Sequence, residues 1–111
     1  MVANGTEIGL DSEPMRFEFA DKKLERVASE LKYTAGMSPA LVKGFRKVLQ
    51  AIRAADDERD LYDRPALRFE KLERSKHAHS LRANDQYRVI VEIMGVSPNK
   101  SIRVIRIEDY H

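Results

Sequence analysis

Five residues near the C-terminus of this 111-residue chain have side chains suited to proton transfer and phosphate binding: Arg82, Arg88, Asp109, Tyr110 and His111. An imidazole with its ordinary pKa near 6.5 both accepts and donates protons at neutral pH, so His111 is a candidate acid or base. As the last residue it also carries the chain's carboxylate, which favours the imidazolium wherever the two approach. Tyr110 can donate a hydrogen bond or stack on a base. The planar forks of Arg82 and Arg88 suit phosphate geometry. Two alternatives stand beside these roles. The arginines could instead pair at the surface with Asp85, Glu92 or Glu108. Asp109 either orients His111 or Tyr110, or is structural, because a bare carboxylate beside phosphate is unfavourable.

The distribution of charge points the same way. Residues 1–63 carry ten Lys/Arg against twelve Asp/Glu, whereas residues 64–111 carry ten against six and hold all three histidines. A local basic excess suits a polyanion such as RNA, since neutralised phosphates release counterions. Lys71, Arg74, Lys76, His77 and His79 add a basic, histidine-containing turn that could contact RNA, or could simply be solvated. For His79, a packed and hydrogen-bonded ring is the competing role.

The elements that must position these groups follow from periodicity. Residues 1–14 are polar, with no hydrophobic period, and read as a flexible extension before a domain of residues 15–111. Residues 16–19 alternate, giving a short strand with Phe17 and Phe19 on its core face. Asp21 caps a first helix whose stripe is Leu24, Val27, Ala28 and Leu31, with a stop at Gly36. Ser38-Pro39 starts a second helix with the stripe Leu41, Phe45, Val48, Leu49 and Ile52, and with Lys43, Arg46, Lys47 and Arg53 around it. The acidic stretch 54–65 reads as a connecting loop with at most a frayed turn. Residues 67–72, 79–82, 86–93 and 102–108 are β-rich, and short turns between them imply antiparallel pairing. In the strand from Gln86, alternation puts Tyr87, Val89, Val91 and Ile93 on one face and Arg88 on the other.

The fold class expected is α+β: an N-terminal strand and a two-helix hairpin packed on a three- to four-stranded, mainly antiparallel sheet. Having no cysteine, the chain has neither disulfides nor thiolate metal sites. No apolar run reaches the roughly 20 residues needed to span a bilayer, and the N-terminus lacks a signal-peptide pattern, so a cytoplasmic location with no membrane partner is expected.

The segment Ser80-Leu81-Arg82-Ala83-Asn84-Asp85-Gln86-Tyr87-Arg88, followed by a hairpin and the ending Asp109-Tyr110-His111, resembles the HigB branch of the RelE/ParE toxin superfamily. Members carry S-[IL]-R-x-N-D-Q-[WY]-R and end in D-Y-H. The resemblance runs from Met15 to His111 and includes the turn from Thr34 to Pro39. It implies a microbial-ribonuclease-like fold and a type II toxin that cleaves mRNA in the ribosomal decoding site without a metal or other cofactor. It also implies silencing by a helix-turn-helix antitoxin similar to HigA, and it puts Arg82 and Arg88 on the concave active surface. Such cleavage requires a base for the 2′-hydroxyl proton, a cation for the phosphorane and an acid for the departing 5′-oxygen.

The departure from the family lies in residues 69–79, where relatives show H-P-L-K-G-D-R-x-G-Q-[WY]-S. The histidine of that pattern falls on Phe69 and its lysine on Glu73 or Leu72, so neither role carries over; Lys71, Arg74, Lys76, His77 or His79 could substitute. Two further functions fit the same fold: a ParE-like inhibitor of DNA gyrase, and a weakened toxin retained as an antitoxin-binding regulatory subunit.

Overall fold

The computed structural model describes residues 16–96 and 99–110. The flexible extension expected for residues 1–14 and the acid–base role of His111 both fall outside them. Among the described residues, five strands form one sheet: β1 (Arg16–Phe19), β2 (Glu70–Lys71), β3 (Ala78–Arg82), β4 (Tyr87–Met94) and β5 (Ser101–Asp109). Their order is β1-β5-β4-β3-β2, with β1 parallel to β5 and every other pair antiparallel. The α+β class therefore holds, and the sheet has one strand more than expected because the N-terminal strand joins it as an edge.

Helices α1 (Lys22–Ser29) and α2 (Pro39–Ala54) pack together on one face. Asp21 caps α1 by accepting from the Lys23 backbone N–H at 2.7 Å, and Ser38 caps α2 by accepting from that of Leu41 at 3.2 Å. All five residues of the expected α2 stripe are buried. The first helix is shorter than its periodicity suggests: it stops at Ser29, and Leu31 is 83% exposed rather than part of the core. The α2 side chain Arg46 explains where the end is satisfied. Its guanidinium donates to the carbonyls of Val27, Glu30 and Leu31 at 3.0–3.2 Å, groups left orphaned at a helix C-terminus. Arg46 is thus a structural clamp, and Arg53 lies over the Phe17 ring at 5.4 Å.

The acidic connection is more ordered than a loop. A short helix α3 (Glu58–Tyr62) is capped by Asp57, and its Leu61 is fully buried, an anchor hidden among charges in the sequence. The expected strand at 67–72 shrinks to two residues, since Pro65–Leu67 form a single 3₁₀ turn and Phe69 turns into the core. Leu81, Val89, Val91, Ile102 and Val104 from the sheet meet Val27, Phe45, Val48, Leu49 and Leu61 from the helices in one cluster. Burying each such side chain contributes about 1.5–3 kcal/mol against chain entropy.

The strand registers assign the opposite face. Arg82, Arg88 and Glu108 form one row across β3, β4 and β5, and Glu70, Ser80, Ile90 and Arg106 form the next. A β-bulge makes this possible. Val91 pairs with Val104 but Ile90 pairs with Arg106, leaving Ile105 over. In a regular strand, residues 102, 104, 106 and 108 would share a face; the extra residue turns Ile107 into the core and sends Arg106 and Glu108 outward.

Candidate active site

The tight connection from β3 to β4 sets the geometry. Asn84 Oδ1 accepts from the backbone N–H groups of Gln86 and Tyr87 at 2.9 and 2.8 Å, and the Ala83 N–H donates to the Tyr87 carbonyl at 3.0 Å. Arg82 and Arg88 are consequently direct cross-strand partners. Like charges so placed are destabilising, so this pairing needs compensation. Asp85 forms an ion pair with Arg82, although its carboxylate is 92% exposed and the pair is therefore weakly held. The Arg88 guanidinium donates to the Arg68 carbonyl at 3.2 Å and lies 5.2 Å from the Tyr110 ring centre.

Tyr110 is fixed from two directions. Its backbone N–H donates to the Gln86 carbonyl at 2.7 Å, continuing the β4–β5 ladder, and its hydroxyl accepts from Arg74 at 3.4 Å. Arg74 is itself anchored by Glu108 at 2.8 Å, and Arg106 reaches the same carboxylate at 2.7 Å. The Arg74 hydrogen bond, followed by that of Arg106, holds the Glu108 carboxyl below the usual carboxylate range. The ring remains 41% exposed, available for stacking.

Arg68, Arg82, Asn84, Asp85, Arg88 and Tyr110 line a cleft of about 360 Å³. A larger groove of about 460 Å³ runs along α2 between Thr34, Pro39, Val42, Lys43, Lys47 and Gln50. Size favours the groove, but chemistry favours the cleft, which three arginines and a tyrosine line together. Behind the cleft, α2 approaches the turn at Gly44: a Cβ there would overlap the Ala83 carbonyl oxygen.

The structure thus brings Arg82, Arg88 and Tyr110 together, with Arg74 alongside. Asp109 belongs to the other face: it pairs in register with Tyr87, and its carboxylate accepts from the Gln86 amide at 3.0 Å. Lys76 is exposed in the turn between β2 and β3, and Lys71, exposed on β2, shares the register position of His79; neither lines the cleft. His77 contributes its carbonyl, which accepts from the Ile93 N–H at 3.0 Å.

An RNA contact by His79 is corrected. The residue is 6% exposed, and its ring stacks on Phe69 at 4.9 Å with planes 6° apart. Its Nδ1 lies 3.0 Å from the His77 carbonyl, which can only accept, so that nitrogen carries the proton. Phe69 is in turn wedged against Tyr62 in an edge contact, which explains why position 69 offers the cleft nothing.

Arg68 is the cleft residue that sequence reasoning missed. It has left-handed backbone, φ 46°, just after the 3₁₀ turn, where its carbonyl meets Arg88 and the residue joins the lining of the cleft. The one cue was its place beside position 69, where the family pattern has its histidine.

A family model described as the RelE-like toxin of the type II toxin-antitoxin system HigB matches residues 17–110. The chain belongs to the HigB-like toxin family. That family makes it a toxin of a toxin–antitoxin pair, with an antitoxin as its partner. Among solved structures, a YoeB/ParE toxin from Agrobacterium tumefaciens superposes with a TM-score of 0.51 at 13% identity, covering 87% of this chain and 100% of its own. At that identity the likeness concerns the fold, and it agrees with the mixed sheet of this HigB-like toxin. A comparison with curated protein sequences finds no significant match. Among the described residues, no helix of the toxin is long and apolar enough to cross a membrane.

Proposed function

We propose that this HigB-like toxin is an endoribonuclease that cuts messenger RNA in the decoding site of the ribosome and thereby inhibits translation. The observation that carries the reading is the direct pairing of Arg82 with Arg88, whose guanidinium lies against the Tyr110 ring, in a polar cleft on the sheet face away from α1 and α2. Two adjacent cations destabilise a fold unless an anion is to be bound there, and a phosphodiester supplies one. Tyr110 stacks on a flanking base, and the arginines stabilise the charge that develops on the phosphorane.

His111, next along the chain from Tyr110, is the proton carrier in this reading. It takes the 2′-hydroxyl proton as the 2′-oxygen attacks phosphorus and delivers it to the 5′-oxygen as that bond breaks, leaving a 2′,3′-cyclic phosphate and a 5′-hydroxyl. Neither step needs a metal. Arg74, held by Glu108, positions the Tyr110 hydroxyl. A helix-turn-helix antitoxin of the HigA kind silences the enzyme, in the cytoplasm where ribosomes are found.

Induction of the toxin without its antitoxin, with mapping of mRNA 5′ ends in the arrested cells, tests this. Arrest accompanied by new 5′ ends within translated codons is expected. Single alanine substitutions of Arg82, Arg88 and His111 should each lower cleavage by about 10²–10³-fold. Undiminished toxicity in all three variants would overturn the assignment, and arrest with intact mRNA and impaired supercoiling would favour gyrase inhibition instead.

A further inference from the structure

The three guanidiniums of the cleft are not equivalent. That of Arg82 is engaged by Asp85, and that of Arg88 is held by the Arg68 carbonyl and the Tyr110 ring. Among the described residues, the Arg68 guanidinium pairs with no carboxylate and makes no hydrogen bond. An exposed, unengaged guanidinium in a cleft already carrying two others adds repulsion without local compensation. Its backbone is costly as well, since a non-glycine residue at φ 46° occupies a sparsely populated conformation.

Both costs are accounted for by one role. We infer that Arg68 is a third phosphate-binding residue of the cleft, which grips a backbone phosphate of the RNA neighbouring the one addressed by Arg82 and Arg88. This rests on the proposed ribonuclease function and extends it. The left-handed turn does two jobs at once: the Arg68 carbonyl accepts a hydrogen bond from Arg88 Nη1 and fixes that guanidinium, while Arg68 itself lines the cleft. A glycine would serve the backbone better, so the arginine is there for its charge. The site thus takes at least a dinucleotide, with Tyr110 stacking on one base and the cations spread over two successive phosphates.

Arg68→Gly separates the two jobs, because glycine tolerates the left-handed conformation and keeps the carbonyl that holds Arg88. Arg68→Lys restores the charge but not the fork. Binding of a 2′-O-methyl RNA hexamer, which cannot be cleaved through its 2′-oxygen, is followed by anisotropy from 50 to 200 mM salt, and cleavage of mRNA on programmed ribosomes is measured in parallel. Relative to the unaltered toxin, Arg68→Gly is expected to bind about tenfold more weakly and to lower the salt slope by about 0.7, the value for one phosphate contact to a single strand. Arg68→Lys should recover the slope and part of the affinity, and KM should rise in Arg68→Gly more than kcat falls. An Arg68→Gly toxin that keeps its thermal midpoint, affinity and slope would overturn the role of Arg68 while leaving the ribonuclease reading intact. If the unaltered toxin binds the hexamer with the expected dependence on Arg68 but does not cut ribosome-bound mRNA, the ribonuclease reading fails and the phosphate site stands.

Discussion

The two ends of the β4–β5 ladder carry charge in opposite ways. At the Met94–Ser101 end, Lys100 sits between two carboxylates, forming an ion pair with Glu58 and lying 3.7 Å from Asp57. All three side chains are no more than a quarter exposed, and the pair ties the start of α3 to the start of β5. At the Tyr87–Asp109 end, three arginines line a cleft where, among the described residues, the one carboxylate, Asp85, is almost fully exposed. One cluster is balanced within the molecule; the other is left for an anion from outside. Charge that the fold satisfies itself contributes stability, whereas charge it leaves in excess contributes binding at the expense of stability. Substitutions at each end should therefore read out in different quantities.

The largest effect is expected where the cleft end meets the core. Helix propensity alone makes Gly44→Ala favourable by about 1 kcal/mol. Overlap with the Ala83 backbone runs the other way, because a carbonyl in the turn cannot swing aside as a flexible side chain can. We expect net destabilisation of about 2–3 kcal/mol and, because the turn carries Arg82 and sets its pairing with Arg88, a loss of cleavage even at temperatures where the variant is folded. Denaturant unfolding and single-turnover cleavage on the same preparation would test this. A Gly44→Ala variant as stable and active as the original would show that the turn yields freely.

A smaller effect, confined to stability, is expected at the other end. The Glu58 hydrogen bond raises the Lys100 pKa, so its stabilisation is complete below the ordinary lysine value and is lost as pH climbs through the raised one. Asp57 is lowered, first by the Arg59 backbone N–H and then by Lys100, so its contribution is present above the ordinary aspartate value and is lost as pH falls through the lowered one. Lys100→Met should thus cost about 1 kcal/mol at neutral pH and remove the alkaline limb of the stability profile. The acid limb should largely survive, because its main cause is the Arg59 N–H. Cleavage should stay within about twofold, given the separation along the ladder. A retained alkaline limb would mean that Lys100 is not the group responsible.

The same contrast explains what could be read from sequence. The apolar stripe of α2, the alternation of β4 and the Asn84 turn are local patterns, and they gave the helix, the strand and the outward direction of Arg88. The convergence of the site is not local. Alternation along β5 alone would set Arg106 and Glu108 with Ile102 and Val104, and only the bulge at Ile105, visible in the pairing with β4, turns Glu108 toward Arg74 and so anchors Tyr110. Arg68 was hidden because its importance lies in a backbone conformation. The ordered connection at 54–65 is the same lesson in another form: the acidic residues that suggest solvent include the Asp57 cap of α3, while Leu61 anchors it and Lys100, just before β5, pairs with its Glu58. His79 looks chemical by type, and stacking on Phe69 makes it core.

The smallest effect should come from the carboxylate at the cleft end, and its sign is the sharpest test of the comparison. Asp85 engages the Arg82 guanidinium, so an incoming phosphate must displace it. Because the carboxylate is so exposed, that competition is weak, and salt screens it further. Asp85→Asn should therefore leave thermal stability nearly unchanged while raising RNA affinity by about two- to threefold at low salt, with the gain fading as salt rises. Asn keeps the size of the side chain, so the change reports charge rather than turn geometry. A fall in affinity would mean that Asp85 holds Arg82 in its working orientation, and the cleft end would then be partly self-satisfied, as the Lys100 end is.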